Sequence, residues 1–341
     1  MHTFLTPDPI TIEIRNAAGD IRLDFADVTT TTVEVTASSS HPFGFLDDVI
    51  RAVGGGRQSE RRAFSGRRRF DAGGTGFHPG PDQGPDGGFD KSYGAGPFDF
   101  GGDSADDPVE RVRVEFRDGS TEASGDGDGG DGRAARATLI VDTDPARDGW
   151  RSSFVVHVTA PNASGVRVQS QSADVTATGE ADRLETRTAS GDIKIDRVLG
   201  RTVVQTASGD VIINATGDCD VRTASGDIEI HHAAADALLH STSGDIRVDR
   251  PTGNVSARSV SGDIRLVDAV SGRAEAIAVS GDVEIGIHPG SLASVELSTI
   301  SGNTDTDFEV SDRAPEDDGP VLDIRVKTTS GDIRLRRAVT V

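Results

Sequence analysis

Cysteine, tryptophan, tyrosine and methionine occur once each in the 341 residues, and aromatic residues make up 4%. The single Cys219 excludes an internal disulfide, so cysteine usage gives no sign of an oxidising compartment. So few aromatics exclude a core built on large rings. What is left to bury is Ile, Val, Leu, Ala and Thr, which is strand chemistry. Lysine is nearly missing too: Lys91, Lys194 and Lys327 stand against thirty-two Arg, a compositional bias rather than a mechanism. Acidic residues outnumber basic ones and the formal net charge is −21. That weighs against sequence-independent binding of nucleic acid, which relies on Lys and Arg neutralising phosphates. It also disfavours an anionic membrane surface and keeps copies of the chain apart in solution. No run approaches the roughly 20 apolar residues of a membrane helix. The opening MHTFLTPDPITIEIRN has neither the basic nor the apolar region of a signal peptide. The expectation is a cytoplasmic protein, with export by another route left open.

What is present is strand after strand. Residues 1–38 alternate: Ile10, Ile12 and Ile14 are spaced by polar neighbours, Ala18-Gly19-Asp20 turns the chain, and IRLDF and TTTTVEVTA follow. Residues 39–108 break the pattern with dense Gly and Pro, and they are read as a disordered surface insertion. Within it, residues 43–53 predict a short helix. Arg57, Arg61, Arg62, Arg67, Arg68 and Arg69 make a basic run interleaved with Phe64 and Phe70, read as a solvated linker rather than a docking peptide. Strands return over 109–169, interrupted by a flexible acidic-Gly loop at 118–134. Asp126, Asp128 and Asp131 of that loop lack the closing Glu that an EF-hand requires.

From 170 to 341 the chain repeats. Its turns are Ser-Ala-Asp at 172–174, Ser-Gly-Asp at 190–192, 208–210, 225–227, 243–245, 261–263 and 280–282, Ser-Gly-Asn at 301–303, and Ser-Gly-Asp at 330–332. The steps between them are 18, 18, 17, 18, 18, 19, 21 and 29 residues, the last two read as swollen loops. After each turn a period of two appears, as in Ile193 and Ile195, Ile228 and Ile230, Ile246 and Val248, Ile264 and Leu266. Between these lie mostly charged residues. Before each turn, Val204, Val221, Leu239 and Ala257 hold one position, while Thr206, Thr223, Ser241 and Ser259 hold another. One face of every strand is therefore buried and the other wet. A lone unit cannot bury its apolar side, so units must stack. The predicted fold is all-β: a single parallel β-solenoid of about 18-residue coils, with the N-terminal strands as its first part or cap.

The turn residues explain themselves. Gly takes positive φ without steric cost, and Ser and Asp bond neighbouring backbone groups. Stacking also places Asp192, Asp210, Asp227, Asp245, Asp263 and Asp282 in a column, which opens a calcium-stabilised solenoid as an alternative. The G-G-x-G-x-D motif of known calcium solenoids is missing, and turn chemistry is preferred.

No H-E-x-x-H, G-x-S-x-G or P-loop occurs. His231 and His232, adjacent on a strand, point to opposite faces and make a poor chelate. A carbohydrate-active enzyme on a parallel β-helix is the other alternative, using loops at 286–293 or 305–320. Trp150 and Tyr93, the natural sugar platforms, fall outside the repeats. No catalytic, cofactor-binding or metal residue is assigned, and no cofactor. The row three residues before each Ser (Arg187, Gln205, Arg222, His240, Arg258, Ile277, Ser298, Lys327) points outward and is mildly basic; it is read as a solvated face with cross-strand ion pairs, with a flat docking surface as the alternative.

The opening TPDPITIEIRNAAGDIRL, the VTAPNASGV stretch, the TASGDI units, EIGIHPGS and the ending IRVKTTSGDIRLRRA together resemble the DUF4097 β-strand-repeat family, which carries an adhesin label, and its soluble actinobacterial-type branch in particular. The resemblance implies a β-solenoid, repeat-mediated interaction and no catalytic residues. The expected function is a non-catalytic scaffold, monomeric or weakly oligomeric. Its expected partner is an unidentified protein or envelope polymer engaged through the strand faces, with no nucleic acid bound by the solenoid and no transmembrane segment.

Overall fold

The computed structural model describes residues 1–38, 112–119, 136–143, 153–308 and 319–338. The segment expected to be disordered over 39–108, with its helix and Arg run, lies outside the described residues. So do Tyr93, Trp150 and nearly all of the 118–134 loop.

The first strands are β1 (His2–Leu5), β2 (Thr11–Ala26), β3 (Thr30–Ser38), β4 (Arg113–Arg117), β5 (Thr138–Asp142), β6 (Ser153–Pro161) and β7 (Gly165–Ala181). The repeats supply β8 (Arg183–Ser190), β9 (Ile193–Ser208), β10 (Val211–Ser225), β11 (Ile228–Ala233), β12 (Ala237–Ser243), β13 (Ile246–Pro251) and β14 (Val255–Ser261). The last are β15 (Ile264–Ala269), β16 (Gly272–Ser280), β17 (Val283–Ile287), β18 (Leu292–Ser301), β19 (Thr304–Thr306), β20 (Val321–Ser330) and β21 (Ile333–Arg337). All of these described strands join one hydrogen-bonded sheet that winds on itself as a parallel β-solenoid. Among the described residues no helix is long and apolar enough to cross a membrane.

Each coil has a front strand running up to the Ser and a back strand leaving the Asp. Ser190, Ser208, Ser225, Ser243, Ser261 and Ser280 stack in register. The period of two becomes burial. On the back, β13 buries Ile246, Val248 and Pro251, and on the front, β14 buries Val255, Ala257 and Ser259. Back walls carry branched Ile and Val; front walls mix Val and Leu with Ala, Thr and Ser, the small residues lying nearest the Ser-Gly-Asp corner. Full burial of each Ile or Val contributes about 1.5–3 kcal/mol, and the ladder repeats this in every coil.

The turn Gly is required by its neighbours. Gly244 sits at φ +157°, and a Cβ there would lie 2.1 Å from the carbonyl oxygen of Gly226 in the adjacent coil. Gly209 meets the same barrier at 2.2 Å from Gly191 O. From Gly191 to Gly331 successive turns approach too closely for a side chain at this position, whereas the 172–174 turn holds Ala173 without a positive φ.

The stacking order departs from the chain order at both ends. β2 supplies a front half and a back half, paired in parallel with β7 on one side and with β5 and β6 on the other. It is therefore the second coil, under a first coil made of β5 and β6. β3 and β4 lie antiparallel on β6 and β5 and cover that end. At the far end, β20 pairs with both β16 and β18, and β21 with both β17 and β19. The 330–332 turn thus sits between the 280–282 and 301–303 turns. The long steps of 21 and 29 residues are not simply swollen loops: the chain skips one coil position and returns to fill it.

Candidate functional site

The turn column is built by reciprocal hydrogen bonding between coils. The amide of Asp245 donates to Asp227 Oδ1 at 2.8 Å, and Asp245 Oδ1 accepts the amide of Asp263 at 2.8 Å. The same rung recurs from Asp174 to Asp332 and ends where Asn303 N donates to Asp332 Oδ1. The adjacent backbone ladder runs the other way, Ile246 N donating to Asp263 O at 2.9 Å. At the corner the Asp N–H faces the previous coil, where the side chain of the preceding Asp accepts it. The carboxylate therefore bonds the next coil rather than its own turn.

On the front face the expected outward row forms in register. Arg187, Gln205, Arg222, His240, Arg258, Ile277, Lys327 and Ser298 are successive partners. Arg187, Arg222, Arg258, Ser298 and Lys327 are exposed; Gln205, His240 and Ile277 are half-buried. The neighbouring row supplies counter-charges: Arg187–Glu185 at 2.9 Å, Arg222–Asp220 at 3.0 Å and Arg258–Glu275 at 3.5 Å. Burial and the flanking Arg222 and Arg258 hold the His240 imidazole below its ordinary range. Beside this row runs a strip of small exposed side chains, Ala189, Ala207, Ala224 and Thr242.

Sequence reasoning missed a depression of about 490 Å³ at the second corner of the coil, walled by Arg201, Asp218, Asp220, Asn254 and Arg273 over Leu238. Its edge is a second ladder: Asp236 N donates to Asp218 Oδ1 and Asn254 Nδ2 to Asp236 Oδ1. The spacing of eighteen between these residues was the available signal. Cys219 lies beneath this depression. Burial, with Asp218 and Asp220 adding to it, pushes its thiol up to about 12, so it is no nucleophile at neutral pH.

On the back face, Glu229, His231 and Asp249 bring ligand atoms within 4.8 Å of one another. Arg247 already occupies the cluster, 2.8 Å from Asp249 and 3.5 Å from Glu229, and His231 Nδ1 lies 2.7 Å from Asp249 Oδ2. A dication would have to displace the guanidinium that balances both carboxylates. His232 Nδ1 turns instead to Arg250 O at 3.2 Å. In the 286–293 loop, His288 contacts Asp268 at 2.7 Å. Residues 309–318 of the other loop lie outside the described residues.

Two solved structures align with the chain at low TM-score. One is described as "a putative adhesin" from Bacteroides fragilis, with 13% identity, 98% of this chain and 95% of that chain covered, and a TM-score of 0.36. The other is described as "a putative cell adhesion protein" from Clostridium sporogenes, with 7% identity, 98% of each chain covered and a TM-score of 0.24. No curated protein matches the chain. The family model described as Toastrack DUF4097 matches residues 149–336, more than half of the chain, and the chain belongs to that family.

Proposed function

We propose that the protein is a non-catalytic scaffold that binds an extended partner, a protein segment or an envelope polymer, along the front face of its solenoid. The observation that carries this reading is the in-register row of Arg187, Arg222 and Arg258 beside the exposed strip of Ala189, Ala207 and Ala224. Side chains repeat there at the strand spacing of about 4.8 Å. The strip is flat enough for a chain to lie across the coils, and the Arg row offers donors to anionic or hydroxyl groups along it. Each of these Arg residues is paired with a carboxylate of the neighbouring row, so an anionic partner would bind by exchanging one ion pair for another.

The test is binding of the full chain to immobilised anionic envelope polysaccharide, comparing the parent with Arg187→Glu/Arg222→Glu/Arg258→Glu. Loss of binding by roughly an order of magnitude is expected, with affinity falling as salt rises. Reversing Arg265 on the back face should change little. Equal binding by the front-face and back-face variants would refute the assignment, and release of shortened polymer would favour an enzyme.

A further inference from the structure

We propose that β18 is a docking edge for a second copy of this chain, forming an antiparallel β18–β18 pair about a two-fold axis through Leu297. The two ends of the solenoid are unlike. The first coil is covered by antiparallel β3 and β4. At the other end β18 pairs with β20 alone among the described residues. Its core-facing positions are correspondingly uncovered. Val295 is 39% exposed, whereas its partner Ile324 on β20 is 0% exposed. Ile300 at 82% and Val321 at 66% lie at the same end. A long edge with apolar side chains is the usual template for strand addition.

Two features select a second copy as the occupant. The first is register. A two-fold axis normal to the sheet pairs residues that point to the same side. With the axis at Leu297, Val295 meets Thr299, Glu296 meets Ser298, and Ser294 meets Ile300. An axis at Glu296 would set two carboxylates face to face, which destabilises a strand pair. The second is charge. Glu296 is well exposed, its only ion pair among the described residues a long one of 3.8 Å to Arg325. Ser298 is the neighbour of Lys327, a cation without an ion pair among the described residues. Across the two-fold axis, Glu296 of one copy and Lys327 of the other stand on the same face. They are about two strand spacings, or about 10 Å, apart with only Ser298 between, a gap that two long side chains can close. The contact occurs twice per dimer. It supplies opposite charges where two chains of net charge −21 would otherwise repel. The interface is isologous and closed, so it yields dimers rather than fibres.

Sedimentation of the full chain between about 1 and 200 μM should show a monomer–dimer equilibrium. Val295→Lys, at an exposed position, should leave only monomer with an unchanged circular dichroism spectrum. Glu296→Lys should weaken the dimer by roughly an order of magnitude, and Glu296→Lys/Lys327→Glu should restore most of it. The axis makes a sharper test. Opposed residues of an antiparallel pair have Cα atoms about 4.5–5.5 Å apart, so Leu297→Cys should form a cross-linked dimer under mild oxidation. Ile300→Cys should not, and buried Cys219 stays silent in both. A parent that remains monomeric at the highest concentration overturns the proposal. So does a dimer that survives Val295→Lys, or one in which Ile300→Cys cross-links as readily as Leu297→Cys.

Discussion

At the scale of single residues, the buried hydroxyls of the front wall show how one sequence position takes two energetic roles. Thr206 and Thr223 occupy equivalent places two residues before the turn Ser, and both are buried. Thr206 Oγ1 donates to Ser208 O at 2.9 Å, whereas Thr223 Oγ1 has no hydrogen-bond partner among the described residues. A hydrogen bond of this kind contributes about 0.5–1.5 kcal/mol net, while an unpartnered buried hydroxyl costs desolvation without return. Valine fills nearly the same volume in either place. Thr206→Val is therefore expected to lower unfolding free energy by about 1 kcal/mol, and Thr223→Val to leave it unchanged or raise it. Denaturant titration decides the matter, and equal losses at the two sites would contradict the assigned bonding.

At the scale of the repeated element, the turn column sets two effects against each other. Every Asp accepts an amide from the next coil, and every Asp also carries a negative charge one strand spacing from the next. Asparagine keeps the acceptor and removes the charge, as the chain itself does at Asn303. Asp227→Asn/Asp245→Asn/Asp263→Asn is thus expected to be more stable than the parent at low salt. The gap should narrow with salt and close only as ionic strength approaches about 1 M, where the screening length of about 3 Å falls below the strand spacing of about 4.8 Å. Alanine at the same three positions should lose about 0.5–1.5 kcal/mol each at any salt, since the amides lose their acceptors. Asparagine proving as costly as alanine would show that charge, not hydrogen bonding, holds the column, and would revive the bound-cation reading. Much of this element is legible in the sequence: the alternation at Ile228 and Ile230, the small front wall at Ala257 and Ala276, and the outward Arg222 all sit as their spacing implies. The direction of the Asp hydrogen bond is not legible, because residue type alone does not say whether a carboxylate reaches its own turn or the neighbouring one. The depression at Arg201 and Arg273 escaped for a related reason. It is made by residues eighteen apart at a corner whose residues vary more than Ser-Gly-Asp.

At the scale of the whole molecule, the coil order is the property that sequence conceals most. Every coil presents much the same apolar wall, so Val326 packs as well above Ala276 as Leu297 would; the pattern fits either order. Only the lengthened steps hint that the chain skips a place. The consequence concerns local stability, which in a stacked array falls toward the ends of the stack rather than the ends of the chain. β20 lies nearer the C-terminus, yet it is held between β16 and β18, with Leu322, Ile324 and Val326 all essentially buried. β18 precedes it in the chain but has one strand neighbour among the described residues and leaves Val295 and Ile300 exposed. Amide hydrogen exchange should therefore be slower over 321–330 than over 292–301, the reverse of simple fraying from the C-terminus. The measurement belongs on dilute protein carrying Val295→Lys, so that association at the β18 edge does not protect the outer strand. Exchange over 321–330 as fast as over 292–301 would mean that β20 is not an inner strand, and the chain would then stack in the order in which it is made.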